Sequence, residues 1–313
     1  MGIIITMSEH HHHHHHHHHA VPAPGDDRGM RRIYIVSIVL NLGFVVVEAV
    51  AGIVYKSLGL ISDAGHNLSD VASLLLALIA LRLMHSHSSR GYTYGYRKSS
   101  VLISLANAVL LLVAVGAIVI ESIRKFSHPE PLNGAVISWT AGAGILINGF
   151  TALLLMKARH HDLNAKGAYL HMLADTLVSV GVVISGIVIS LTDWYIIDPL
   201  IGLAIAAVIL TGTWDLLKES VRLSIDAVPE GIDPDDIAAS IRGCEGVLDM
   251  HHLHIWAIST TETALTAHLV VEKMEGADAI VHGVKHALSG KGIRHSTLEL
   301  ETAASPCDEP SCC

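Results

Sequence analysis

Two segments of the 313-residue chain place a histidine four positions ahead of an aspartate: His66-Asn67-Leu68-Ser69-Asp70 and His171-Met172-Leu173-Ala174-Asp175. At 3.6 residues per turn, positions i and i+4 lie one above the other on a helix, so each segment presents an imidazole and a carboxylate on one face. Two such helices facing one another offer two nitrogens and two oxygens. That donor set suits a tetrahedral zinc ion; the lack of sulfur speaks against copper(I), and the lack of an all-oxygen shell against magnesium and calcium. The alternative is a purely structural pair of buried ion pairs. It accounts poorly for both sites at once, because an ionisable residue at mid-bilayer depth costs at least about 2.5 kcal/mol and marks ion pathways.

Bilayer depth follows from the composition. The chain is 51% hydrophobic but only 16% charged, whereas soluble domains carry about 25% charged residues. Spanning helices need about 20 mainly apolar residues. Six such stretches are expected, near residues 31–55, 59–84, 99–123, 135–157, 166–191 and 195–217, with the two His/Asp segments in the second and fifth. With a cytoplasmic N-terminus, eleven basic residues fall inside, among them Arg31, Arg97, Lys98 and Lys157, and three outside, Lys56, Arg124 and Lys125. The positive-inside rule then puts both termini in the cytoplasm. Asn41, Glu48, Asn107 and Asn148 also lie inside spans, where polar side chains commonly join one helix to another; a part for Glu48 in proton or metal passage stays open.

The net charge of -9 is carried entirely by residues 220–313, which hold six Lys/Arg against 15 Asp/Glu. The chain thus divides into a His-rich, disordered segment over 1–30, a membrane body over 31–219, a cytoplasmic domain over 220–302 and a cysteine-containing tail over 303–313. The ten consecutive histidines His10 to His19 are either an expression tag or a metal-scavenging tail. Cys307, Cys312 and Cys313 cluster at the end, which suits thiolate metal binding in a reduced compartment, or else incidental thiols. No secretory signal pattern precedes the first span.

In the cytoplasmic domain, Asp233-Pro234-Asp235-Asp236 opens a helix running to about Gly243. Strands over 248–258 and 263–271, a helix over 277–288 and a strand over 296–301 complete an αββαβ order, a two-layer α/β domain. Counting by two puts His252, His254 and Trp256 on one face of the first strand and Thr266, His268 and Val270 on one face of the second, so His254 and His268 are expected close together.

Gly59-Leu60-Ile61-Ser62-Asp63-Ala64-Gly65-His66-Asn67-Leu68-Ser69-Asp70, Tyr92-Thr93-Tyr94-Gly95-Tyr96-Arg97-Lys98 and Gly167-Ala168-Tyr169-Leu170-His171-Met172-Leu173-Ala174-Asp175 together resemble the cation diffusion facilitators, in their zinc-transporting branch, over about residues 31–302. The resemblance implies a transport site of His66, Asp70, His171 and Asp175, the first of these being the position whose histidine goes with zinc preference. It further implies a homodimer, a ferredoxin-like cytoplasmic domain, exchange of a divalent cation for protons, and a charge interlock between Lys98 and Asp226. It implies regulatory zinc at His254, His268, His282 and Glu299, although Glu299 and Glu301 stand where some members have His and Asp. His85 and His87 fall near a second metal site of some members, with an incomplete pattern.

No Gly-x-x-x-x-Gly-Lys-Ser/Thr loop is present, so energy is expected from a gradient and not from a nucleotide. An intramembrane metalloprotease would need His-Glu-x-x-His, which is missing. A membrane-anchored metal sensor would leave four ligands at membrane depth without a use. The expectation is a secondary antiporter, not an enzyme, exporting zinc, with cobalt or cadmium as further candidates, through a bacterial inner membrane. Its partners are divalent metal, protons, lipid and a second copy of the chain, with no nucleic acid.

Overall fold

The computed structural model describes residues 27–54, 58–127, 134–302 and 304. The histidine run and Cys307, Cys312 and Cys313 lie outside the described residues. Six long helices come first: α1 (Asp27–Val54), α2 (Leu58–Met84), α3 (Ser99–Ser127), α4 (Gly134–Leu155), α5 (Leu163–Thr192) and α6 (Ile197–Ser224). α1 begins at Asp27, inside the segment expected to be disordered up to residue 30. Among the described residues, five of the six helices, all but α4, are long and apolar enough to cross a membrane. Within α4 the described apolar stretch is Ala141–Leu155. Apolar side chains such as Val39, Val47 and Leu191 are exposed on the bundle, as a lipid-facing surface requires.

The most extensive helix pairings are α3 with α6, α1 with α2, and α4 with α5, and α2 also meets α5. Because α1 touches α4 as well, α1, α2, α5 and α4 form a ring with α3 and α6 beside it. Buried and half-buried polar side chains fasten these contacts. Asn67 Nδ2 on α2 donates to Glu48 Oε2 on α1 at 2.6 Å, and Asn41 Nδ2 on α1 donates to Thr151 Oγ1 on α4 at 3.1 Å. Ser104 and Ser220 join α3 to α6 by their hydroxyls at 2.8 Å, and Lys125 Nζ donates to Asp198 Oδ2 at 2.8 Å near the far end of the same pair. Where hydrocarbon would otherwise surround them, such groups need partners on neighbouring helices. Gly212 lets α6 approach α5: a Cβ there would lie 2.8 Å from Leu170 Cδ2.

α5 starts at Asp162, whose carboxylate accepts from the Asn164 backbone N–H at 2.9 Å. Burial pushes the Asp162 carboxyl above the ordinary carboxylate value, outweighing the lowering hydrogen bonds from Asn164 and Thr260. A carboxyl whose pKa is raised by folding stabilises the fold below its unfolded-state pKa, and that contribution is lost as pH rises through the folded value. Asparagine caps a helix about as well as aspartate. Asp162→Asn is therefore expected to flatten the loss of thermal stability above about pH 4; parallel melting curves for variant and parent would contradict this.

α6 leads into the C-terminal domain: α7 (Pro234–Arg242), β1 (Val247–Ala257), β2 (Thr263–Val271), α8 (Ala277–Gly290) and β3 (Ile293–Thr302). The sheet order is β1-β2-β3, with β1 antiparallel and β3 parallel to the central β2. The parallel pair is reached through the α8 crossover. Asp233 caps α7 by accepting from Asp235 N at 3.0 Å, with Pro234 in the first helical turn. Ile237 and Ile241 of α7 and Val284 and Leu288 of α8 bury against Met250, Ile255, Leu265 and Leu269. Gly246 adopts φ +88°, and a Cβ there would also press on Ile280 at 2.7 Å.

Between the two parts, Lys98 Nζ donates to Asp226 Oδ1 at 2.5 Å, to the Leu223 carbonyl at 2.7 Å and to the Ala257 carbonyl at 3.0 Å. Asp226 adopts φ +61° in the turn after α6. Glu219, buried near the end of α6, accepts from the Glu230 backbone N–H at 3.0 Å.

Candidate metal centres

The helix spacing that aligns each His with its Asp is local, but the pairs that form run between helices. His171 Nε2 lies 2.7 Å from Asp70 Oδ1, and His66 Nε2 lies 3.3 Å from Asp175 Oδ1. Within α5, His171 Nε2 and Asp175 Oδ2 are 4.0 Å apart. Ligand atoms of His66, Asp70 and Asp175 all fall within 4.8 Å of one another. Donors about 2.0 Å from a tetrahedral zinc stand about 3.3 Å from each other, so the cluster is near the size such an ion requires. Asp70 and His171 are buried, whereas the His66 side chain is 56% exposed. Asp70 Oδ2 and Asp175 Oδ2 are buried and accept no hydrogen bond among the described residues. Carboxylate oxygens in that condition need a cation or proton.

A second cluster lies on the sheet. His268 Nδ1 is 2.5 Å from Glu301 Oε1 and its Nε2 is 3.4 Å from Glu299 Oε2, while His251 Nε2 is 3.4 Å from Glu301 Oε2. Ligand atoms of His251, His252 and His268 also fall within 4.8 Å of one another. In register, His251 on β1 faces His268 on β2, which faces Glu299 on β3.

His254 does not join this group among the described residues. The register shifts between His251 and His254, where three steps along β1 oppose two along β2, so His254 pairs with Thr266 and is exposed. His252 sits in this β-bulge with φ +51°. His254 thus stands one cross-strand pair along from His268, and because one extra residue reverses the face of everything beyond it, counting by two missed His251 as the residue opposite His268. His282 is exposed on α8, also outside the group. His251 and His252 were not anticipated as ligands, and Glu301 was noted only as standing where some family members have another residue type. Glu301 alone carried a readable signal, two residues beyond Glu299 on the same strand face. In the loop after α2, His85 and His87 are exposed, His85 Nδ1 is 2.9 Å from the Leu81 carbonyl, and neither belongs to a three-ligand group among the described residues.

Both parts of the chain match known families. Residues 34–223 match the cation efflux transmembrane domain, and residues 229–302 match the cation efflux protein cytoplasmic domain. A cadmium, cobalt and zinc/H(+)-K(+) antiporter of Bacillus subtilis (strain 168) is 33% identical over 288 residues, covering 90% of this chain and 93% of the relative. The zinc transporter ZitB of Escherichia coli (strain K12) is 32% identical over 296 residues, covering 92% of each. The metal cation efflux system protein CzcD of Cupriavidus metallidurans is 32% identical over 287 residues, covering 91% of this chain and 89% of the relative. A membrane bundle and a small α/β domain, matched in series along nearly the whole described chain, place this protein in the cation efflux family, whose members are ion antiporters and not enzymes.

Proposed function

We propose that this protein exports zinc from the cytoplasm in exchange for protons, by alternating access around His66, Asp70, His171 and Asp175. The observation that carries this reading is the cross-pairing of two His/Asp faces between α2 and α5, with two buried carboxylate oxygens unsatisfied. Zinc binds neutral imidazole, and imidazole titrates near pH 6.5 when unperturbed, so metal arriving from a neutral cytoplasm displaces protons and an acidic far side displaces metal. Cobalt and cadmium, which the names of relatives include, are further cargo for the same donor set.

In this reading α4 is a sixth span, both termini face the cytoplasm, and the host membrane is a bacterial inner membrane. The membrane body covers residues 31–219, and residues 220–302 form a ferredoxin-like domain through which two copies associate. His268, with Glu299, Glu301, His251 and His252, binds regulatory zinc there. His254, His282, His85, His87, Cys307, Cys312 and Cys313 are at most peripheral ligands. The Lys98–Asp226 bridge is a charge interlock holding the two parts together.

Liposomes carrying the protein, with a zinc dye inside and an acidic lumen, test the exchange. Zinc uptake is expected under the acidic-inside gradient and is expected to collapse when a protonophore dissipates it. Uptake that is indifferent to the gradient would rule out proton exchange.

A further inference from the structure

The tip of the β1–β2 hairpin contacts the ends of three helices chiefly through Thr260, with Thr261 Oγ1 also 3.9 Å from Met84 Sδ. Ser259 Oγ accepts from the backbone N–H groups of Thr261 at 3.2 Å and Glu262 at 3.0 Å, which stiffens the tip and leaves the Thr260 polar groups pointing away from it. The Thr260 hydroxyl donates to Asp162 Oδ1, the cap of α5, at 2.9 Å. Its backbone N–H donates to Ser100 Oγ on the first turn of α3 at 3.1 Å. The same hydroxyl lies 3.7 Å from Met84 Sδ, at the end of α2. Asn164 closes the network by donating from Nδ2 to the Ser100 carbonyl at 3.0 Å, and Ser100 and Asn164 are both fully buried. Beside it, Arg97 Nη1 donates to Glu262 Oε2 at 2.7 Å across an exposed edge.

We propose that Thr260 is a positioning residue for transport, holding the starts of α3 and α5 and the end of α2 in register and so aligning His171 and Asp175 with His66 and Asp70. This rests on the transport reading above. His171 lies nine residues past Asp162, about 14 Å along a helix, and helices carry a displacement at one end to the other with little loss. The two strands that end in this tip also carry His251, His252 and His268, so the tip is a direct physical connection between the two candidate metal centres. It is separate from the Lys98–Asp226 bridge, which acts on the turn after α6 and on the last carbonyl of β1.

The test is zinc uptake across a range of zinc concentrations by liposomes holding the full-length chain. Thr260→Val keeps the shape and removes the hydroxyl; it is expected to raise the zinc KM about threefold to tenfold, the effect of one hydrogen bond. Thr260→Ser keeps the hydroxyl and is expected to stay within about twofold of the parent, since the hydrogen bond survives. A merely structural contribution would lower the maximal rate with the amount of folded protein and leave KM alone. An unchanged KM in Thr260→Val overturns the proposal. Should that variant not fold, Ser100→Ala removes the acceptor of the Thr260 amide: a raised KM supports the proposal and an unchanged one overturns it. Asp175→Ala in the same liposomes separates the two levels. Uptake that survives it removes the transport site and this proposal together, whereas lost uptake with an unchanged KM in Thr260→Val removes this proposal alone.

Discussion

Asp175→Ala is expected to abolish proton-driven zinc uptake and to weaken zinc binding at least about 100-fold, since loss of an outer hydrogen-bonding partner alone costs 10- to 100-fold in metal affinity. Asp175 reaches toward both histidines: Oδ1 stands 3.3 Å from His66 Nε2 and Oδ2 stands 4.0 Å from His171 Nε2. Removing it leaves His171 with Asp70 at 2.7 Å and His66 without its partner on α5. The variant should insert and fold, because an alanine in place of a buried carboxylate relieves desolvation within a helix that alanine favours. Zinc titration of the purified variant and dye-reported uptake provide the two readings. Uptake within twofold of the parent would rule out the assigned site.

Leu269→Ala is expected to be the most damaging single substitution in the C-terminal domain. Leu269 is fully buried on the central strand, packed in the core that α7 and α8 close over the sheet. Truncating such a leucine costs about 2–5 kcal/mol through lost transfer energy and the cavity left behind. Since whole domains are stable by only about 5–15 kcal/mol, a large part of this domain's stability goes with it. Leu269 directly follows His268, so the sheet cluster loosens as well. Hydrogen exchange on the intact protein reads the effect: protection of β1, β2 and β3 amides should fall together while α3 and α6 stay protected. Protection in the sheet equal to that of the parent would contradict the central role of this core.

The membrane body was legible because its signals are local. Long apolar runs can satisfy their backbone in lipid only as helices, and an i, i+4 His/Asp pair needs no more than one turn of helix to face one way. The Asp233-Pro234 start of α7 and the alternating stretches of β1 and β2 were readable for the same reason. Asn41 and Glu48 fell seven apart on one face of α1, and the structure uses that face twice, toward Thr151 on α4 and toward Asn67 on α2. Which helix each would meet was not written in the spacing.

What the sequence determined by itself, then, was the inventory: helices that must be apolar, two faces bearing His and Asp, and a tail domain of five short elements. Tertiary structure alone decided the partnerships. His171 closes on Asp70 and His66 on Asp175, each across the α2–α5 contact, because the distance between two helices depends on every side chain packed between and behind them. The bulge at His252 set the sheet cluster in the same way, shifting the register by one residue and putting His251 in place of His252 opposite His268. A single left-handed residue is nearly invisible in a composition pattern, yet it decides which side chains stand together, because strand faces alternate with every residue.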